Sequence, residues 1–149
     1  MAVVYTQGGP KDVTGNGHYM ETQAWLDTNN GHMEAITQVW SSNWVFGFTG
    51  SVGMLYFDGN GIPLMHSQGA EFGVDARGVP WSASSRTEKW THDIDLTHAA
   101  RVAQMLLVHS YAPRQRLQDI LSEVVSYGQT AVEFCRTHPE VCIAVGGFF

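Results

Sequence analysis

Apolar positions are densest in residues 47–68, where two apolar runs flank Asn60-Gly61. An Asn-Gly pair suits a two-residue type I′ turn, because both of its central positions need a positive φ. The strand pairs that this turn predicts are Phe57 with Leu64, Tyr56 with Met65, Leu55 with His66 and Met54 with Ser67. Both faces of the hairpin are apolar, which predicts that it lies in the middle of the protein.

A second hairpin is predicted around Asn30-Gly31, between residues 18–27 and 32–40. Its predicted pairs are Asp27 with Glu34, Leu26 with Ala35, Trp25 with Ile36, Ala24 with Thr37 and Glu21 with Trp40. One face is small and apolar and carries Met20, Thr22, Ala24, Leu26, Ala35, Thr37 and Val39. The other mixes aromatic, amide and carboxylate groups on Tyr19, Glu21, Gln23, Trp25, Glu34, Ile36, Gln38 and Trp40. A slip of one residue would exchange the two faces.

Three further stretches have the composition of strands or loops. Residues 1–16 predict an N-terminal arm or edge strand followed by loop, because a β-prone run passes into glycine clusters. Residues 44–48 predict an extended run with its aromatic side chains on one side. From this run onward glycine recurs at three-residue spacing, at Gly47, Gly50 and Gly53. Such glycines mark bends or close backbone approach, so we expect the strand to turn a corner between two sheets. Residues 82–94 predict another strand.

The C-terminal part is predicted to be helical from Arg114 to residue 138, because its apolar positions recur at spacings of three and four. Those positions are Leu117, Ile120, Leu121, Val124, Val125, Gly128, Ala131, Val132 and Cys135. Before this helix, Thr97 is a suitable N-cap for a short helix at residues 98–103, and residues 104–111 fit a buried strand and a helix equally well.

These elements predict a single domain that is mainly β with C-terminal α structure. We expect an antiparallel β-sandwich or a strongly bent sheet, with one long C-terminal helix packed across it. The predicted segments are an arm at residues 1–16, a β-rich core at 17–112, the helix at 113–138 and an apolar tail at 139–149. The tail should be docked on this chain or on a neighbour.

Charge is sparse and mostly negative in this chain of 149 residues, of which 15% are charged and whose net charge is −6. Between Lys11 and Arg77 there is no lysine or arginine, so nucleic acid and anionic lipid are unlikely partners. Few charges together with an apolar tail predict a homo-oligomer. Its contacts are expected to include Ile143, Val145, Phe148 and Phe149.

The two cysteines, Cys135 and Cys142, form no CxxC motif. Two reduced, buried thiols are the expectation, and a disulfide closing the C-terminal turn is the alternative. The N-terminus has no signal-peptide pattern and no apolar run reaches the ~20 residues that span a bilayer. These features predict a soluble protein made in the cytoplasm, with leaderless export left open.

Motifs for catalysis or metal binding are weak. Residues 58–61 begin like a calcium loop, but the later ligand positions are apolar, so a hairpin turn is expected. Ser51 resembles a nucleophile elbow, but it precedes a strand and lacks the first glycine. A zinc site on His66, His92 and His109 would need three strands to converge. No catalytic residue, metal ligand or cofactor is predicted.

One face of the second hairpin combines stacking rings with planar hydrogen-bonding groups, which suits a sugar or a protein partner. The candidate ligand-binding residues are Tyr19, Glu21, Gln23, Trp25, Glu34, Gln38 and Trp40. The competing interpretation is that the C-terminal helix or a second sheet covers these rings as core. The leading hypothesis is a non-enzymatic binding or interaction module, carbohydrate- or surface-binding. The alternatives are a membrane-active, toxin-like protein using its C-terminal helix and tail, and a small hydrolase-like or metal enzyme.

Overall fold

The structure is a computed structural model that describes residues 3–78, 84–111 and 114–138. Within these ranges the chain forms eight strands and three helices. The strands are β1 (Val3–Asp12), β2 (His18–Asp27), β3 (His32–Ser41), β4 (Phe48–Phe57), β5 (Pro63–His66), β6 (Ala70–Val74), β7 (Ser85–Asp93) and β8 (Gln104–Ser110). The helices are α1 (Leu96–Ala99), α2 (Arg114–Tyr127) and α3 (Ala131–Thr137).

Four antiparallel strands form sheet A, in the order β1-β2-β3-β7. Its predicted hairpin exists, but Trp25 is opposite Glu34 and not Ile36. The connection is a four-residue loop that ends at Gly31, which has φ +75° and donates its N–H to the Asp27 carbonyl at 2.8 Å. The predicted register is therefore wrong by two residues. Both faces are nevertheless correct, because side chains alternate with a period of two.

Sheet B is built around β4, which pairs with β8 on one edge and with β5 and β6 on the other. Residues 50–57 are all buried, as predicted for this hairpin, whereas residues 64–66 of β5 are only half-buried. The pairs Tyr56 with Met65 and Leu55 with His66 are confirmed, but Phe57 pairs with Pro63 because the ladder shifts there.

The predicted two-residue turn between β4 and β5 is wrong, because residues 58–62 form a longer loop. The Gly61 N–H donates to the Asp58 carbonyl at 3.1 Å, and the Asp58 N–H donates to the Ile62 carbonyl at 3.0 Å. Gly61 has φ +76°, so glycine is still required at this position. The combination is typical of a turn followed by a glycine bulge.

Gly61→Val is expected to lower the free energy of unfolding by ~1–3 kcal/mol, because a β-branched residue is strained at positive φ. No atom lies within 4 Å of a Cβ placed there, so a steric clash adds nothing. Gly59→Val is the matched control, since Gly59 is equally open and has no positive φ. Denaturant melts give the free energy of unfolding of each variant. An equal loss in both variants, or no loss in either, would contradict this account of the turn.

The strands and helices stack in three layers. Sheet A and sheet B enclose one core around residues such as Met20, Met54 and Tyr56. The outer face of sheet B packs against α2 and α3 in a second core. Two glycines of β4 permit close approach, since a Cβ at Gly50 would lie 2.6 Å from Met20 Sδ and one at Gly53 would lie 2.6 Å from Leu121 Cδ1. In the structure these two glycines allow the layers to pack closely. The sequence had suggested that they mark a corner between two sheets.

The C-terminal helix is interrupted, and the prediction of one long helix is not met. Gly128 has φ +64° and donates its N–H to the Val125 carbonyl at 3.3 Å, while the Gln129 N–H reaches the Val124 carbonyl at 3.1 Å. These two bonds make a Schellman motif, which ends α2. Thr130 then caps α3 by accepting the Glu133 N–H at 3.2 Å. Val132 is exposed, although it was assigned to the apolar stripe.

Several other predictions change. β1 continues across the glycine cluster up to Asp12, where a loop was predicted. Residues 44–47 lie in a loop and not in a strand. The N-cap of α1 is Asp95 and not Thr97. Residues 104–110, which fitted a strand and a helix equally well, form a strand. Cys135 is disulfide-bonded, so the expectation of reduced thiols is wrong. The tail residues predicted to mediate assembly lie outside the described part of the chain.

Candidate ligand-binding face

The outer face of sheet A, here called the open face, carries all seven candidate residues. Helix α2 packs against β4 and β5 of sheet B, so it does not cover this face. Direct cross-strand neighbours on the open face form three rows. The rows are Tyr5-Trp25-Glu34-Thr91, Gln7-Gln23-Ile36-Lys89 and Glu21-Gln38-Thr87, and Tyr19 and Trp40 follow beyond them.

Two aromatic pairs mark the ends of the open face. The Tyr5 and Trp25 rings are tilted with centroids 5.6 Å apart, and the Tyr19 and Trp40 rings stack at 5.5 Å. Tyr5 is 50% exposed and Trp25 is 37% exposed, while Tyr19 and Trp40 are half-buried. Tyr19 and Trp25 are six residues apart on β2, which corresponds to about 20 Å along the strand. The rings are therefore accessible at two separate positions on one surface.

A shallow depression of about 180 Å³ lies between the aromatic pairs. Its lining consists of Glu21, Gln23, Ile36, Gln38 and Thr87. Carboxylate, amide and hydroxyl groups of this kind accept and donate directional hydrogen bonds. The centre of the open face is thus polar apart from Ile36, and the two ends are aromatic.

Charged groups collect near the Trp25 end. Lys89 Nζ lies 3.3 Å from Glu34 Oε1, and His32 Nε2 lies 3.5 Å from the same oxygen. The hydrogen bond from Lys89 lowers the pKa of Glu34. On the other side of the imidazole, His32 Nδ1 lies 2.6 Å from Asp93 Oδ1, and this hydrogen bond raises the pKa of His32. The single lysine of this surface is therefore matched by a carboxylate.

The sequence missed the contribution of β1 and β7 to this surface. Tyr5 and Gln7 were assigned to an arm or edge strand, and β1 is an edge strand of sheet A, but its partner β2 was not predicted. In β1 the exposed side chains of Val3, Tyr5 and Gln7 alternate with more buried ones. That alternation is the signal of a half-buried strand. Thr87 and Lys89 were placed on a strand, but its pairing with β3 was not predictable from its own residues.

The weaker catalytic and calcium motifs lie in structural positions. Ser51 is fully buried in β4, so its hydroxyl group faces no solvent. Asp58 Oδ1 accepts the N–H groups of Asn60 at 2.8 Å and of Ile62 at 3.0 Å. These bonds lower the pKa of Asp58 and occupy the carboxylate within its own turn.

The three histidines weighed as a zinc site make separate contacts. His66 Nδ1 lies 2.7 Å from the Ser67 carbonyl, and His92 Nδ1 lies 3.0 Å from the Tyr56 hydroxyl. His109 Nε2 lies 2.7 Å from Thr22 Oγ1 in the core between the sheets. Among the described residues, no three His, Cys, Asp or Glu side chains are grouped closely enough to hold a metal ion.

Comparisons with protein-family models, with curated proteins and with solved structures found no match. Any functional conclusion therefore rests on the geometry of this chain. In the ranges that the structure describes, no helix is both long and apolar enough to cross a membrane.

Proposed function

We propose that this protein is a non-enzymatic binding module whose open face holds an uncharged carbohydrate. The observation that carries the proposal is the pair of accessible aromatic clusters on either side of a polar depression, all on one sheet face. Aromatic rings offer flat apolar area to the C–H face of a sugar, and amide and carboxylate groups can bond its hydroxyl groups. A strand-borne surface also holds these groups in a fixed arrangement.

The charge of the open face favours an uncharged ligand. Lys89 is paired with Glu34, and Glu21 lies in the central depression. Among the described residues, no positive charge is therefore left at the centre to receive a carboxylate, sulfate or phosphate group. An acidic sugar would meet like charge at Glu21, which opposes binding.

Trp25→Ala is expected to abolish binding of the glycan while the fold persists. Trp25 is 37% exposed, so its removal should destabilise by well under the ~3–5 kcal/mol typical of a buried Trp. A screen of the full-length chain on a glycan array identifies the ligand, and titration calorimetry with that ligand then compares the variants. Thermal melts of the same samples separate loss of binding from loss of structure.

Trp44→Ala is the matched control, because Trp44 is 69% exposed but lies outside the open face. It should leave glycan binding unchanged. The proposal is wrong if Trp25→Ala collapses the fold, or if the folded Trp25→Ala variant binds as tightly as the wild type. An array that yields only charged glycans would contradict the argument from charge.

A further inference from the structure

The loop between β3 and β4 exposes three large apolar side chains in succession. Trp44, Val45 and Phe46, here called the apolar tip, are 69%, 72% and 67% exposed. Single exposed apolar residues are ordinary on a protein surface, but a contiguous group marks an interaction site. The tip lies at the end of the sandwich where β3 ends and β4 begins.

The apolar tip is held in place by hydrogen bonds beneath it. Asn43 Oδ1 accepts the N–H groups of Val45 and Phe46, each at 2.8 Å, and Asn43 Nδ2 donates to the Asn16 carbonyl at 3.0 Å. His18 Nε2 lies 2.9 Å from the Phe46 carbonyl, and since a carbonyl only accepts, this nitrogen donates. The fold therefore presents the three side chains outward in a defined arrangement, which reduces the entropy cost of binding.

On its Phe46 side, the apolar tip borders a cavity whose lining is nearly uncharged. A cavity of about 580 Å³ lies beside it, and its lining residues, Thr14, Asn16 and Tyr111 among them, include no Asp, Glu, Lys or Arg. Tyr111 is 62% exposed. The Asp12 carboxylate nearby accepts four backbone N–H groups at 2.8–3.3 Å, so it is already satisfied.

The two ends of the sandwich differ sharply in charge. Strand directions place four aspartates at the end opposite the apolar tip: Asp27, Asp58, Asp93 and Asp95. One arginine, Arg101, lies there too, with its Nη2 3.6 Å from Asp58 Oδ2, so negative charge is in excess. At the tip end, the Arg77 guanidinium lies 5.8 Å over the Trp44 ring, with exposed Asp75 two residues before it. The molecule therefore has an acidic end that favours water and an opposite end with an apolar point.

We propose that the apolar tip inserts into the interface of an electrically neutral lipid bilayer. A convex tip of three side chains needs a matching pocket on a protein partner, whereas lipids rearrange around it. Trp44 and Tyr111 carry the ring types that prefer the headgroup region, and Arg77 can reach a lipid phosphate. The net charge of −6 opposes anionic headgroups, so zwitterionic lipid is the favoured surface.

Flotation of the full-length protein with phosphatidylcholine vesicles tests this proposal. Wild-type protein should float with the vesicles, and Trp44→Ser combined with Phe46→Ser should lower the partition coefficient at least about tenfold, because two buried rings are lost. Ile62→Ser is the matched control, since Ile62 is 45% exposed at the opposite end of the sandwich. It should float like the wild type, and thermal melts should show all three proteins folded.

A second readout distinguishes lipid from other occupants. Quenching by brominated phosphatidylcholine should fall in the Trp44→Phe variant, which retains the apolar tip and removes only this fluorophore. Failure of the wild type to float, equal flotation of the double variant, or binding only to anionic vesicles would each overturn the proposal. A lower sedimentation coefficient of the double variant without lipid would also overturn it, by showing that the tip contacts a second copy.

Discussion

Replacing Leu121 with aspartate is expected to remove most of the free energy of unfolding of this protein. Leu121 is fully buried on α2, where it faces Gly53 of β4. An aspartate there would place a carboxylate among apolar groups such as Leu117 and Phe134, which offer it no partner. Burial of an unpaired charge costs several kcal/mol, against a total stability of roughly 5–15 kcal/mol for a domain.

Ser122→Asp is the control for this prediction, because Ser122 is adjacent in sequence and exposed. It brings the same new charge to α2 without burying it, and its effect should stay within about 0.5 kcal/mol. Urea denaturation followed by circular dichroism gives both values. Similar midpoints for the two variants would show that the second core does not depend on the Leu121 side of α2.

The faces of the strands could be predicted from the sequence, since they depend only on alternation. Met20, Thr22, Ala24 and Leu26 are all fully buried, as their spacing indicated. The burial of β4 on both sides was likewise visible, because its residues are apolar without alternation. Both patterns are local, so no knowledge of distant segments was needed.

The exact partners of these strands were harder to predict, because they depend on the length of the turn. Asn30-Gly31 and Asn60-Gly61 both suggested two-residue turns, yet each belongs to a longer loop. In both loops the glycine has a positive φ, 75° for Gly31 and 76° for Gly61. An Asn-Gly pair thus located the turn correctly and left its length open.

The sequence contains a signal for the break between α2 and α3. Gly128 is followed by Thr130-Ala131-Val132-Glu133, which has the spacing of a capping box. The sequence-based prediction rested on the three- and four-residue periodicity alone, which continues across this signal. A helix stop and a new start can preserve the periodicity of buried positions, as Leu121, Val124 and Phe134 do here.

The candidate site was only partly predictable, because the layer order is not encoded locally. The aromatic rings of β2 and β3 would be core if α2 packed on sheet A. Sheet B receives α2 instead, where Gly53 leaves room for Leu117 and Leu121. Likewise, Trp44 and Phe46 were assigned to one side of an extended run, whereas they lie in a loop whose conformation depends on the Asn43 turn.

A chain of polar groups crosses the core between the sheets and predicts a loss of stability in acid. Trp90 Nε1 donates to Thr37 Oγ1 at 3.0 Å, Thr37 Oγ1 lies 2.8 Å from Thr22 Oγ1, and that oxygen lies 2.7 Å from His109 Nε2. Burial, together with the charge of Lys11, lowers the pKa of His109 to about 3. His109 Nδ1 has no hydrogen-bond partner among the described residues.

Because the ordinary pKa of histidine is about 6.5, His109 binds a proton at a much higher pH in the unfolded chain than in the native state. Stability should therefore be unaffected by this group above pH ~6.5 and fall as the pH decreases toward 3. At pH 4.5 the titration of His109 should lower the free energy of unfolding by about 2–3 kcal/mol relative to neutral pH, at ~1.4 kcal/mol per pH unit. Burial also lowers the pKa of His92, which adds to the loss in the same direction.

His109→Asn should flatten this dependence, because asparagine can still bond Thr22 but does not titrate. Denaturant melts at intervals between pH 7.5 and 4.5 should show the wild type losing stability faster than the variant. His32→Asn is a control of opposite sign, since the pKa of His32 is raised in the folded state by Asp93 and Glu34. Its stabilisation is present at low pH and is lost as the pH rises, so its removal should make the loss in acid slightly larger. Parallel curves for the wild type and His109→Asn would show that His109 is not held neutral in the core.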